Sequence, residues 1–148
     1  AIGGGINLIT KSPENTDNFS VDIFTSFWGE LNIDLGSRYN FKKSQGIVGV
    51  NYFNYSNPID NNQDGFTDLT LQDRISIFNK LTFGTQFSIA TRFIYEDRWG
   101  GQMNWSPKYR GGDILYGESI YTSRVEIFGK YEINNNLWFP SSRKIDSS

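Results

Sequence analysis

Apolar and polar residues alternate along six segments of the chain, and this pattern predicts β-strands. The clearest segment is 31–41, where Leu31, Ile33 and Leu35 alternate with polar or small residues. An alternation of about eleven residues is longer than the common globular strand of roughly 5–6 residues and matches the roughly 9–11 residues of a membrane-spanning strand. The other predicted strands are 18–28, 46–55, 74–83, 86–96 and 119–131.

The first, third and fifth connections between these predicted strands lie on one side of the sheet, and two of these three are long. The second and fourth connections are short, whereas the third (56–73) and the fifth (97–118) are long. Outer-membrane barrels have long extracellular loops and short periplasmic turns. We therefore predict an all-β fold: about six antiparallel strands in a meander, forming part of a transmembrane β-barrel. A soluble β-sandwich explains the alternation equally well, but it does not explain the two classes of loop.

The charged residues of the predicted strands fall on the face opposite the apolar one. A Lys or Arg facing lipid at mid-membrane costs about 2–4 kcal/mol, and a wet barrel interior or a plug avoids that cost. The polar face therefore predicts the inside of a barrel, although a solvated face of a sandwich would look the same. The residues are Asp34, Arg38, Arg74, Lys80, Arg92, Glu96, Arg124, Glu126 and Lys130.

Composition narrows the classes of function. The 148 residues include 14 Lys and Arg against 16 Asp and Glu, so the net charge of −2 gives no sign of a nucleic-acid partner. Cysteine and histidine are absent, which excludes disulfides, thiol or Ser-His nucleophiles and the usual zinc sites from this sequence. We expect no enzyme activity. Because the sequence begins with Ala rather than Met, we also expect it to be an internal piece of a longer protein.

The third connection contains a pattern typical of calcium loops, with oxygen-bearing side chains at every second position followed by glycine. The twelfth position is Leu71, so the bidentate glutamate of an EF-hand is missing. Two interpretations stay open: a weak calcium site, with Asp97 and Asp113 completing its shell, or an Asx-rich turn without metal. The candidate calcium ligands are Asp60, Asn62, Asp64, the carbonyl of Phe66, and Asp68.

The fifth connection is rich in aromatic and basic residues. Such side chains can stack on a ligand and pair with its anionic groups. They can equally pack the loop or lie in the aromatic girdle of a barrel. Glu96 and Asp97 are adjacent, but neighbours in a strand point to opposite faces, so we do not expect a catalytic carboxylate pair. The candidate ligand-binding residues are Arg98, Trp99, Trp105, Tyr109 and Arg110.

The first eleven residues, AIGGGINLITK, resemble the segment that closes the plug domain of TonB-dependent outer-membrane receptors. Residues 60–74, 95–101 and 116–124 are similar to the early barrel of this family, especially to receptors of Bacteroidetes for cobalamin or ferric siderophores. The chain departs from the family because it lacks the energy-coupling box, most of the plug and most of a roughly 22-stranded barrel.

The resemblance implies the domain organisation. Residues 1–13 would be the end of the plug, residues 14–139 the first strands of the barrel, and residues 140–148 an irregular tail. A seventh strand could begin at Leu137. Strand one would rise outward from the periplasm, so the plug end would lie on the polar side near the short turns.

The resemblance also implies location, function and partners. The protein would lie in the cell outer membrane of a Gram-negative bacterium and take up a scarce small molecule, such as cobalamin or a ferric siderophore. Its partners would be outer-membrane lipid, that ligand, and the TonB complex through the missing plug region. Some cobalamin-type receptors hold calcium with aspartates in early loops, which favours the calcium interpretation. The alternatives are a passive porin-like barrel, which would lack a plug strand, and a soluble carbohydrate-binding β-sandwich.

Overall fold

The computed structural model describes residues 10–133, which form one open antiparallel sheet. Each strand pairs with the next along the chain, and the first and sixth strands do not pair with each other. Short 3₁₀ turns occupy Pro13–Asn15 and Pro107–Tyr109. The predicted all-β meander of six strands is therefore confirmed. The strands are β1 (Phe19–Thr25), β2 (Glu30–Phe41), β3 (Ser44–Tyr55), β4 (Leu71–Phe83), β5 (Phe87–Gly101) and β6 (Gly117–Tyr131).

The register of the ladder determines which residues share a face of the sheet, because partners directly opposite each other point the same way. One row crosses all six strands and consists only of apolar residues. We call its side of the sheet the apolar face and the other side the polar face. The predicted assignment of residues to the two faces agrees with the register in every strand. The row is Val21, Leu35, Val50, Ile77, Phe93 and Val125.

Strand ends differ from the prediction on the side of the long connections. β5 continues to Gly101, five residues past the predicted end at Glu96, and Gly101 pairs with Gly117. The alternation is lost here because a carboxylate and two glycines enter the sequence, but backbone hydrogen bonding needs no alternation. The prediction that 97–101 belong to a loop was wrong. The long connections are 56–70, here loop one, and 102–116, here loop two.

The two ends of the sheet are unequal. The long-loop end carries loops one and two together with the turn 26–29, whereas the short-turn end carries only the turns 42–43 and 84–86 between strands. Within residues 10–133, the buried apolar side chains are Tyr55, Leu71 and Trp105. A soluble domain of this length would ordinarily enclose a larger core. No helix in the described part of the chain is long and apolar enough to span a bilayer.

The segment before β1 crosses the polar face at the short-turn end. Lys80 Nζ, on that face, donates to Thr10 Oγ1 at 2.8 Å and to the Lys11 carbonyl at 3.4 Å. Pro13 is buried against the sheet. Residues 10–13, the described part of the predicted plug end, therefore lie on the polar face near the short turns. The sequence also predicts a strand at 6–10 within that plug end. This strand, apart from Thr10, lies outside the described residues, as do the seventh strand and the tail 140–148.

Candidate functional site

The apolar face carries almost no charge. Among the six strands its only charged residues are Asp73 and Asp97, which lie opposite each other near the long-loop end. Asn79, two residues from the apolar row, donates to the Tyr39 hydroxyl at 2.7 Å. Aromatic residues flank the aliphatic middle on both sides. They are Phe41, Phe83, Phe87 and Tyr131 at the short-turn end, and Tyr52, Tyr95, Trp99 and Tyr121 toward the long loops.

Some of the charges on the polar face form ion pairs with one another. Glu126 accepts from Arg92 at 2.5 Å and from Arg124 at 2.9 Å. Glu96 accepts from Arg98 at 2.7 Å and from the Gln72 amide at 2.6 Å. Such partly exposed pairs contribute little stability each, so the network mainly makes this face wettable. Several apolar side chains interrupt it, including Phe24, Ile47, Phe53, Phe78, Ile94, Ile120 and Phe128.

The predicted calcium loop folds around its own backbone amides. The two carboxylate oxygens of Asp60 accept from the amides of Asp64 and Gly65 at 3.2 and 2.9 Å. Asp64 accepts from the Phe66 amide at 2.8 Å, and Asp68 from the Asn61 amide at 2.8 Å. These are the bonds of an Asx-rich turn. Each carboxylate oxygen has a second lone pair, so these bonds are compatible with either interpretation of the loop.

The two residues proposed to complete the calcium shell, Asp97 and Asp113, are not grouped with the carboxylates of loop one. Asp97 lies on the apolar face, where it accepts from Arg110 Nη2 at 2.6 Å. Asn62 donates to Asp64 at 3.0 Å, and Asp113 is exposed in loop two. Among residues 10–133 no group of three or more Asp, Glu, His or Cys side chains is placed to hold a metal ion. Calcium binding therefore stays a prediction.

The five residues predicted to bind a ligand do not form one cluster. Arg98 lies on the polar face and pairs with Glu96, whereas Trp99 is on the apolar face. Trp105 is buried, with its ring against Gly117. Arg110 donates to residues of the apolar face, and the ring of Tyr109 lies beneath Lys108 Nζ, 4.8 Å from it. Arg98 and Trp99 both line the groove described next, whereas Trp105, Tyr109 and Arg110 lie elsewhere, in loop two.

A groove of roughly 350 Å³ lies at the long-loop end, between loop one and the start of β6. The rings of Phe66 and Tyr116 meet edge to face at 6.2 Å along it, and Arg98 and Ile120 line it from the strands. The Tyr116 hydroxyl donates to Glu118 at 3.0 Å, and this bond together with the carboxylate charge raises the pKa of Tyr116.

The groove exists because loop one is hydrogen-bonded to the end of β5. The Thr67 amide donates to the Gly101 carbonyl at 2.8 Å, and the Met103 amide donates to the Gly65 carbonyl at 2.9 Å. Of the groove residues, sequence reasoning had named Arg98 and Trp99 as ligand-binding residues and Phe66 and Asp68 as calcium ligands, but it had missed Tyr116. A long-range contact between two loops leaves no periodic signal in the sequence.

Comparison of this chain with models of protein families, with curated proteins and with solved structures found no match. The proposals below therefore rest on the sequence and on the geometry just described.

Proposed function

We propose that this chain is part of an outer-membrane β-barrel whose apolar face contacts lipid. The observation that carries the proposal is the uncharged width of that face. Along β4 it extends over the ten residue steps from Asp73, the charged residue at its border, to Phe83. At ~3.4 Å per residue and a strand tilt of ~40°, this is ~26 Å of depth, close to the ~25 Å apolar band of such barrels. Aromatic rows at both borders are the expected girdles.

The soluble sandwich is less compatible with this geometry. A sandwich needs a second sheet packed on the apolar face about 10 Å away. All six strands of residues 10–133 belong to one sheet, and Val125 and Ile127 on its apolar face are each 69% exposed. Exposed aliphatic side chains of this extent are stable against hydrocarbon and unfavourable against water.

We further propose that the barrel is a TonB-dependent receptor for energy-coupled uptake of a scarce ligand such as cobalamin or a ferric siderophore. Two features support this over a passive porin. The glycine-rich start of the chain resembles the end of a plug, and residues 10–15 lie on the polar face at the short-turn end. In that family a ligand binds extracellular loops, and the groove at Phe66, Arg98 and Tyr116 opens among the long loops on the polar face.

Uptake measurements test this proposal. Cells that express the gene containing this chain, and cells with that gene deleted, are given labelled cobalamin and labelled ferric siderophores. We expect accumulation of one ligand to require both the gene and the proton-motive force across the inner membrane. Gene-dependent accumulation that persists after the proton-motive force is collapsed would instead identify a passive porin. A protein that remains in the soluble fraction of the cell would refute the membrane assignment itself.

A further inference from the structure

Loop two lies on the apolar side of the sheet. Arg110 of this loop donates to Asp97 Oδ1 at 2.6 Å and to Ser119 Oγ at 2.9 Å, and both acceptors belong to the apolar face. The guanidinium group therefore lies beside the edge-to-face pair of Tyr95 and Tyr121, whose centroids are 5.3 Å apart. The loop bends outward over the rim of the sheet.

The two glycines that end the β5–β6 ladder show the same separation of the loops. A Cβ atom on Gly117 would lie 2.5 Å from the ring of Trp105, in loop two. A Cβ atom on Gly100 would lie 3.2 Å from Thr67 Oγ1, in loop one. Gly117 is on the apolar side in the register and Gly100 is on the polar side. Loop one therefore packs over the polar face, and Trp105 of loop two packs over the apolar face. Tyr116, the last residue of loop two, remains against Phe66 in the polar-face groove.

The side chains of loop two suit the boundary between hydrocarbon and water. The indole ring of Trp105 packs against the end of the sheet, whereas Lys108 is exposed and makes no ion pair with any residue in 10–133. Trp and Tyr concentrate at membrane interfaces, and Lys and Arg extend their charged ends toward the lipid head groups. Arg110 lies at the level of the aromatic row that borders the apolar band.

We propose that residues 105–110 of loop two lie in the head-group layer of the outer leaflet, against lipid phosphates, and not at the ligand entrance. This inference rests on the proposed membrane location of the sheet and adds a lipid partner for one loop. It assigns Lys108 and Arg110 to lipid contact, and the buried Trp105 holds the segment against the end of the sheet. It leaves Arg98 and Trp99, which line the groove, from the predicted ligand cluster.

Spin labels placed at single cysteines test the proposal. The chain contains no cysteine, so each substitution adds one labelling site to it. Three variants of the protein, folded into phosphatidylcholine vesicles, are compared: Lys108→Cys in loop two, Val50→Cys in the middle of the apolar face, and Glu118→Cys at the rim of the polar face. Power-saturation electron paramagnetic resonance then measures how accessible each label is to oxygen, which enters lipid, and to a water-soluble nickel chelate.

We expect the nickel accessibility to be lowest at position 50, highest at position 118 and intermediate at position 108. A head-group nitroxide lipid should broaden the signal from position 108 and leave that from position 118 unchanged. Nickel accessibility at 108 equal to that at 118, with position 50 still in hydrocarbon, would overturn the inference about loop two alone. High nickel accessibility at position 50 would overturn the membrane location and, with it, the proposed function.

Discussion

A lysine at Ile77 should destabilise the protein in a membrane far more than a lysine at the adjacent residue. Ile77 lies in the row of six apolar residues on central strand β4, and Ser76 points to the polar face. The two substitutions therefore introduce the same charge in the same strand and differ only in the face that receives it.

The expected magnitude follows from depth. Ile77 is four residues from Asp73 and six from Phe83. At ~3.4 Å per residue and a tilt of ~40°, it lies ~10 Å from one border of the apolar band and ~16 Å from the other. Near the middle of the bilayer a lipid-facing lysine costs about 2–4 kcal/mol. Ser76→Lys faces the barrel interior and should change the unfolding free energy by about 0.5 kcal/mol or less.

The assay is reversible denaturation by guanidinium of the longest natural polypeptide that contains this chain, folded into phospholipid vesicles. Tryptophan fluorescence follows the transition, and equal denaturant dependence in the variants would show that the same surface is exposed on unfolding. We expect Ile77→Lys to lose at least 1.5 kcal/mol more than Ser76→Lys, a conservative bound on the about 2–4 kcal/mol above. Equal losses in the two variants would refute the assignment of the apolar face to lipid. So would a wild-type protein that folds in water and does not enter the vesicles.

Three further predictions concern the long-loop end. A methyl group at position 117 would lie 2.5 Å from the Trp105 ring, so Gly117→Ala should displace this ring and lower the free energy of unfolding by about 1–3 kcal/mol. Gly129 has open space at its Cβ, so Gly129→Ala should leave the free energy of unfolding nearly unchanged in the same denaturation assay. Added calcium should increase the protease resistance of loop one in the wild type and should not do so in Asp64→Ala. An equal increase in both proteins would show that the loop is an Asx turn and not a calcium site. Tyr116 should ionise above the ordinary value of 10.0, measured as the difference at 295 nm between wild type and Tyr116→Phe, and Glu118→Gln should lower that pKa. Because a raised pKa favours neutral Tyr116, its stabilising contribution is complete below pH 10.0 and lost as the pH rises through the folded pKa.

Much of the sheet could be predicted from the sequence, because side-chain direction in a strand follows from the backbone. Successive residues point to opposite faces, so the alternation from Leu31 to Phe41 identified the apolar face without knowledge of any partner strand. Short connections such as 42–43 permit only antiparallel neighbours, which made a meander the simplest topology.

The candidate site was less predictable, because its contacts join residues far apart in the chain. Arg98 and Arg110 are twelve positions apart in one basic, aromatic stretch, and sequence proximity suggested a common ligand. The ladder of β5 and β6 instead extends to Gly101 and Gly117, and this places the two arginines on opposite faces.

The alternation of apolar and polar residues also could not predict how far the strands pair at the long-loop end. Asp97 breaks the alternation, yet it still pairs with Asp73 in the sheet, and its carboxylate accepts a hydrogen bond from Arg110 of loop two. Hydrogen bonds from loop one to β5 likewise create the groove beside Tyr116. The alternation is local and can be read from the chain, whereas strand ends and loop positions depend on pairing between distant segments, which only the tertiary structure determines.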